Sequence, residues 1–239
     1  GLERFRLADR LLPAALAGAE RAELLALARA GAELPSGCLG EALALAEVEA
    51  LLAFACAVRP RLAGLMPAPL DFVLEVAGSE LAGSLAAWGA DGLLRYRCAR
   101  AGSSDYVAAW LDHLCLNALA PAGVARQTVH VARDRVFCFL PVADPMPLLA
   151  AWLAHYRRGL AAPLPFYPRT AWTWVREGPA KGRQQWLGNR ERPGEAADPW
   201  WALALRGEAE PLGAAFVVTA QDLLEPLLAH LHEPQGNPV

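Results

Sequence analysis

The chain has 239 residues, 55% of them hydrophobic, enough to bury a substantial core in one large domain or two small ones. Its formal net charge of -3 argues against a uniformly basic nucleic-acid binder. The richest apolar stretch, Leu39 to Val58, carries Glu41, Glu47 and Glu49 on a helical pattern, so neither a membrane span nor a signal peptide is expected. The opening Gly1-Leu2-Glu3-Arg4 reads as the start of a fragment of something longer.

Residues 9–32 place Leu11, Leu12, Leu16, Leu24, Leu25 and Leu27 at helical spacing, with Gly18 dividing two helices. After a turn over Glu33 to Gly40, the spacing predicts a helix over about 41–56, ended by Pro60. From Leu70 the period changes. Leu70 to Val76 alternates as a strand, Gly78 marks a turn, and Ser79 to Trp88 reads as a second strand. Gly89-Ala90-Asp91-Gly92 is a tight-turn sequence before a third strand, Leu93 to Arg100. Ser104 or Asp105 is placed to cap a helix that runs to Leu119. Gln127 to Ala132 and Val136 to Pro141 read as a hairpin turning at Arg133-Asp134. Asp144 is placed to cap a helix to about Arg158, with Trp152 and Tyr156 at i and i+4.

The Pro- and Trp-rich stretch 160–195 predicts one helix near 170–176 and otherwise irregular chain. Helices near 198–206 and 220–232 follow. This order implies a mixed α/β arrangement around a small sheet. We read it as a single domain over 1–239: a helical lead-in (1–68), an α/β core (69–158) and a Pro/Trp-rich, helical C-terminal part (159–239).

Charge is unevenly spread. Residues 1–94 hold 7 Arg and 12 acidic residues, a net of -5; 95–192 hold 13 Arg, one Lys and 6 acidic residues, a net of +8; 193–239 return to -6. A basic middle fits a phosphate-facing surface, or arginines that pair with the flanking acids. Nearly every basic residue is Arg and Ile is absent, which we attribute to codon composition. The five cysteines form no CxxC and, Cys98 apart, sit among apolar neighbours, so buried reduced thiols are expected. His230 and His232 would splay apart on one helix, which argues against a metal site.

Ser79 to Leu119 resembles the strand–turn–strand–helix segment of PD-(D/E)XK nucleases, the RecB nuclease domain among them. In those enzymes acidic groups on adjacent strands hold Mg²⁺, and a Lys positions or polarises the attacking water. Leu81-Ala82-Gly83-Ser84-Leu85-Ala86 matches the first strand, with Ala86 in place of the metal-binding Asp. Leu93-Leu94-Arg95-Tyr96-Arg97 matches the second, with Arg95 in place of the acid and Arg97 in place of the Lys. The helix beginning Asp105-Tyr106 lacks the usual Gln. A second group of motifs resembles the C-terminal domain of the exodeoxyribonuclease V gamma subunit (RecC). These are Leu34-Pro35-Ser36-Gly37-Cys38-Leu39-Gly40, Tyr156-Arg157-Arg158-Gly159-Leu160, Pro163 to Trp172, Gly194-Glu195 and Asp198-Pro199, in order along nearly the whole chain.

That resemblance implies a restriction-endonuclease-like (PD-(D/E)XK) fold with a helical N-terminal part, without nuclease activity, catalytic residue, metal or cofactor. It further implies RecB-like and RecD-like partner subunits and a cytoplasmic setting. It implies contact with duplex ends and forked or single-stranded DNA, which the domain would help to separate and guide in double-strand-break repair by recombination. The DNA-contact candidates are Arg95, Arg97, Arg100, Lys181 and Arg183.

Arg95 and Arg97 share a strand face, where they would meet phosphate or pair with acids; Tyr96 points to the opposite face, into core. Arg157 and Arg158 close a helix, where the macrodipole favours cations. Lys181-Gly182-Arg183 reads as a basic loop. Trp172 and Trp174 are either packed or available to stack on an unpaired base. Trp200-Trp201 after Asp198-Pro199 reads as a capped helix start with Trp buried. Glu195 and Asp198 have the spacing of paired carboxylates, but a turn and an N-cap account for Asp198. Two other readings stay open: an active Mg²⁺ nuclease using Asp71, Glu75 and Glu80, and a protein-interaction domain without DNA contact.

Overall fold

The computed structural model describes residues 2–234. Three helices open the chain: α1 (Leu2–Ala17), α2 (Arg21–Ala30) and α3 (Cys38–Leu62), with the break at Gly18 as expected. Helix α3 outruns the sequence expectation, and Pro60 lies inside its last turn. So close to a helix end, a missing N–H costs a single hydrogen bond.

Among the described residues, strands β1 (Leu70–Val76) and β2 (Ser79–Leu85) pair only with each other, as an antiparallel hairpin. The strand expected to run from 79 to 88 breaks at Ala86-Ala87. It resumes as β3 (Trp88–Gly89), the edge of a five-stranded sheet ordered β3-β4-β5-β6-β7. Strand β4 (Gly92–Arg97) stops three residues short of expectation, because the Ala99 N–H turns back to the Arg97 carbonyl at 2.7 Å. Helix α4 (Ser103–Leu119) then crosses to β5 (Thr128–Ala132), which lies parallel to β4. Strands β6 (Val136–Phe139) and β7 (Leu231–His232) complete the sheet in antiparallel pairing. His232 therefore sits on a strand, not on a helix with His230.

Helix α5 (Pro145–Ala161) leads into the stretch expected to be mostly irregular. The helix expected near 170–176 is present as α6 (Pro168–Glu177), and a second helix, α7 (Pro179–Leu187), forms where irregular chain was expected. Pro168 and Pro179 occupy first helical positions, where the absent N–H would have had no partner, so these prolines start helices rather than break them. A 3-10 turn (Glu195–Ala197), α8 (Pro199–Ala204) and α9 (Ala214–His230) follow.

The central strands alternate with a period of two, and each face meets its own core. Leu94, Tyr96, Val129, Val131 and Val136 pack against Leu7, Leu11, Leu51 and Phe54 of the N-terminal helices. Phe137 and Phe139 point the other way, into a cluster with Tyr106 and Trp110 of α4, Leu149, Tyr167 and the Phe216, Leu223 and Leu227 stripe of α9. The result is a mixed α/β architecture, a small sheet flanked by helices. Cys98 and Cys115 are buried as expected, whereas Cys38 and Cys56 are exposed and depart from expectation. Among the described residues no helix is long and apolar enough to cross a membrane.

Candidate functional site

The last hydrogen bond between β3 and β4 runs from the Leu94 N–H to the Ala87 carbonyl at 2.8 Å. Ala86 and Arg95 are the next residues outward on the two chains. Ala86 itself lies outside any strand, between β3 and the separate β1–β2 hairpin. Ala86 is exposed at the bend and offers only a methyl group.

Arg95 and Arg97 share one face of β4, as their spacing requires, and helix α4 lies over that face. Arg95 is ion-paired to Asp112 of α4, with about a third of each side chain exposed. Burial pulls the Arg95 pKa below the ordinary arginine value, and the Asp105 charge opposes it. Arg97 donates to Asp105 at 2.7 Å and lies 5.9 Å over the Phe5 ring of α1. Asp105 also accepts from the Gly102 N–H at 2.8 Å, which closes the first turn of α4. The N-cap is Gly102, and Asp105 acts from the third helical position rather than from the cap.

Directly across from Arg95 on β5 stands His130, and across from His130 on β6 stands Phe137. His130 is buried, neither ring nitrogen has a partner among the described residues, and its ring stacks on Phe137 at 4.7 Å. Burial pushes its pKa down to about 4, helped by Arg95 and Arg97 and opposed by Asp105. The stack continues from Phe137 to Tyr106 at 4.0 Å and from Tyr106 to Trp172 of α6 at 4.2 Å. Burial, and then the adjacent Glu233, push the Tyr106 phenol up to about 12. Arg176 pairs with Glu233 and lies 5.6 Å over Trp172, so this tryptophan is a packed group.

The acids available to an active nuclease are elsewhere. Asp71, Glu75 and Glu80 share the exposed outer face of the β1–β2 hairpin. Glu75 lies opposite Glu80, and Asp71 is four residues along the strand, roughly 13 Å away. Among the described residues no three His, Cys, Asp or Glu side chains gather as potential metal ligands.

Arg100 is 85% exposed, with Asp134 at 3.9 Å. Lys181 and Arg183 are not in a loop: both lie on α7, and they diverge. Arg183 lies 5.8 Å over the Trp174 ring, whereas Lys181 faces a polar groove with Gln184, Gln185 and Arg192. Trp174 also packs edge-on against Phe216. Asp198 caps α8 by accepting from the Trp200 and Trp201 N–H groups, but Trp200 is 77% exposed rather than buried.

Glu195 has a role that spacing did not reveal. Its buried carboxylate accepts from the N–H groups of Arg169 and Thr170 at 3.1 and 2.6 Å, capping α6 from 25 residues downstream. The other groups missed in the sequence are Asp112 and His130. Opposite charge on the α4 face toward β4 would have been the signal for Asp112.

A family model described as the RecC C-terminal domain matches residues 1–179. Over 95% of its length the chain is similar, at 26% identity, to the protein named RecBCD enzyme subunit RecC from Escherichia coli (strain K12). It spans 22% of that relative's length. The parallel β4–α4–β5 unit falls inside the matched residues, and on that match the chain belongs to the RecC C-terminal domain family.

Proposed function

We propose that this domain is a non-catalytic, DNA-contacting and subunit-docking part of a RecBCD-type helicase–nuclease, an exodeoxyribonuclease V, in the bacterial cytoplasm. Its partners are RecB-like and RecD-like subunits and the duplex ends, forks and single strands processed in double-strand-break repair. It helps to separate and guide the strands. The fold it is read into is a PD-(D/E)XK nuclease whose chemistry has been lost.

The observation that carries this reading is the ion-paired seam under α4. Where the resemblance calls for metal-binding acids, the chain has Ala86, which offers no oxygen, and Arg95. A guanidinium at 4 Å repels a divalent cation by about 2 kcal/mol in water and by roughly 8 at an effective dielectric of 20. The carboxylates nearest to it, Asp112 and Asp105, are already held by Arg95 and Arg97. The same pairs make Arg95 and Arg97 poorer phosphate ligands than the exposed Arg100, Lys181 and Arg183.

A second reading, a protein-interaction domain without DNA contact, is favoured by one feature. An apolar groove of about 550 Å³ between the β1–β2 hairpin, α5 and α9 is lined by Leu81, Trp152, Leu153, Tyr156 and Phe166. Tyr156 is 63% exposed there, and we assign this groove to the docking of a partner subunit.

The expected outcome with linear DNA and Mg²⁺ or Mn²⁺ is no cleavage by the purified domain; metal-dependent cleavage abolished by Glu80→Ala would overturn the reading. In the assembled complex, Arg100→Glu combined with Lys181→Glu and Arg183→Glu is expected to weaken binding of a labelled fork at low salt. Unchanged binding favours the second reading.

A further inference from the structure

We propose that the groove between α6, α7 and the turn after α7 is a binding track for the phosphodiester backbone of single-stranded DNA. This deepens the DNA-contacting reading above and rests on it. The groove has a volume of about 450 Å³, and its cations are Arg169 of α6, Lys181 of α7 and Arg192 of the following turn. Gln184, Gln185 and Asn189 add neutral donors, and Glu177 is the one acid in the wall.

The local structure explains why these groups converge. Gly182 lets α7 approach α6 closely: a Cβ there would lie 2.9 Å from the Trp174 Cβ and 3.0 Å from its Cα. The turn after α7 is fixed by the Asn189 side-chain oxygen, which accepts from the Glu191 and Arg192 N–H groups at 2.9 and 2.7 Å. The Asn189 N–H donates back to the Arg192 carbonyl at 2.9 Å. Arg192 is therefore carried on an ordered turn, and the Asn189 amide nitrogen is left as a donor. Arg169 starts α6, where its backbone is tied to Glu195, and its guanidinium is 56% exposed with Glu195 at 3.6 Å. Among the described residues Lys181 and Arg192 have no carboxylate within ion-pair distance.

The composition of the wall selects the ligand. A protein-docking surface is centred on apolar and aromatic side chains, and this groove has almost none. Cations interleaved with carboxamides suit phosphate and sugar oxygens, which are read without sequence preference. A concave basic track suits a flexible single strand. Lys181 belongs to this track and Arg183 does not, since Arg183 sits over Trp174 on another side of α7.

The test uses the assembled helicase–nuclease complex and a forked duplex with a fluorescent single-stranded tail. Lys181→Ala with Arg192→Ala is expected to weaken binding roughly tenfold at low salt. It should flatten the log affinity against log salt slope by about 1.4, near 0.7 per lost phosphate contact. A photo-crosslinker at Gln185, in an otherwise unaltered complex, is expected to attach to the tail and not to the duplex.

If the double variant and the crosslinker give no effect while Arg100→Ala weakens binding, the track is wrong and the DNA-contacting reading stands. If neither variant changes binding, both fall. Loss of subunit assembly with unchanged DNA binding by the complexes that do form would make the groove a seat for an acidic protein segment, and would overturn the proposal.

Discussion

The Glu195 carboxylate accepts from two backbone N–H groups that α6 cannot satisfy from within. Truncation to Ala would leave Thr170, fully buried, without that partner. Glu195→Ala is therefore expected to cost about 1–3 kcal/mol of stability, with Glu195→Gln losing less; a urea unfolding series measures both. Two buried imidazoles contribute to acid sensitivity. His113 donates its Nε2–H to the Leu140 carbonyl and accepts at Nδ1 from the Thr128 hydroxyl, each at 3.0 Å, and burial pushes its pKa down to about 4, as it does for His130. Both folded values lie below the unfolded one, so the unfolded chain binds more protons between them. Their contribution is complete above about pH 6.5 and fades as pH falls toward 4, on the order of 2 kcal/mol per histidine by pH 5. Unfolding midpoints at pH 7 and pH 5 check the slope, and His130→Phe should reduce it.

Helices α6 and α7 depend on what stands between them. The Gly182 backbone touches Trp174, and Trp174 in turn packs on Phe216 of α9. Gly182→Ala removes a helix-weakening glycine, a gain of up to about 1 kcal/mol, but forces a methyl group against a packed backbone, a cost of about 1–3 kcal/mol. The expected net result is destabilisation, with the Trp fluorescence of the folded state altered as Trp174 shifts. A stabilised variant with an unchanged spectrum would show that the helices can separate freely. The same element pair shows how sequence punctuation misleads. The chain around Pro179 read as irregular, yet Pro179 begins a helix, as Pro168 does, because a first-turn proline loses no hydrogen bond and its fixed φ suits the helix.

At the scale of the molecule, one sheet serves two cores. Leu94 and Val131 face the N-terminal helices, while Phe137 and Phe139 face α4 and α9. A single unit over the whole chain is the behaviour we expect, since neither core closes without the sheet. Six of the eight tryptophans pack in the core that contains Phe137 and Phe139, and none lies in α1–α3, so Trp fluorescence mainly reports that core, and far-UV circular dichroism reports all the helices. The two signals are expected to give one urea transition. Early loss of ellipticity would show that α1–α3 melt independently.

The amino-acid sequence alone determined the α/β class, the break at Gly18, the strand alternation of Leu70 to Val76, the β5–β6 hairpin and the shared face of Arg95 and Arg97. These follow from local periodicity and turn chemistry, which act over a few residues. It also carried the family, through motifs spread along the chain. Only the tertiary structure decided what those residues touch. Arg95 could meet phosphate or carboxylate, and the crossing of α4 over β4 brings Asp112 to it. Lys181 and Arg183 looked equivalent, and the rotation of α7 sends Lys181 to the polar groove and Arg183 to the Trp174 ring. Glu195 looked like half of a carboxylate pair, and the return of the chain makes it the cap of α6. In each case the deciding partner is distant in sequence, or set by helix rotation, and no local pattern encodes it.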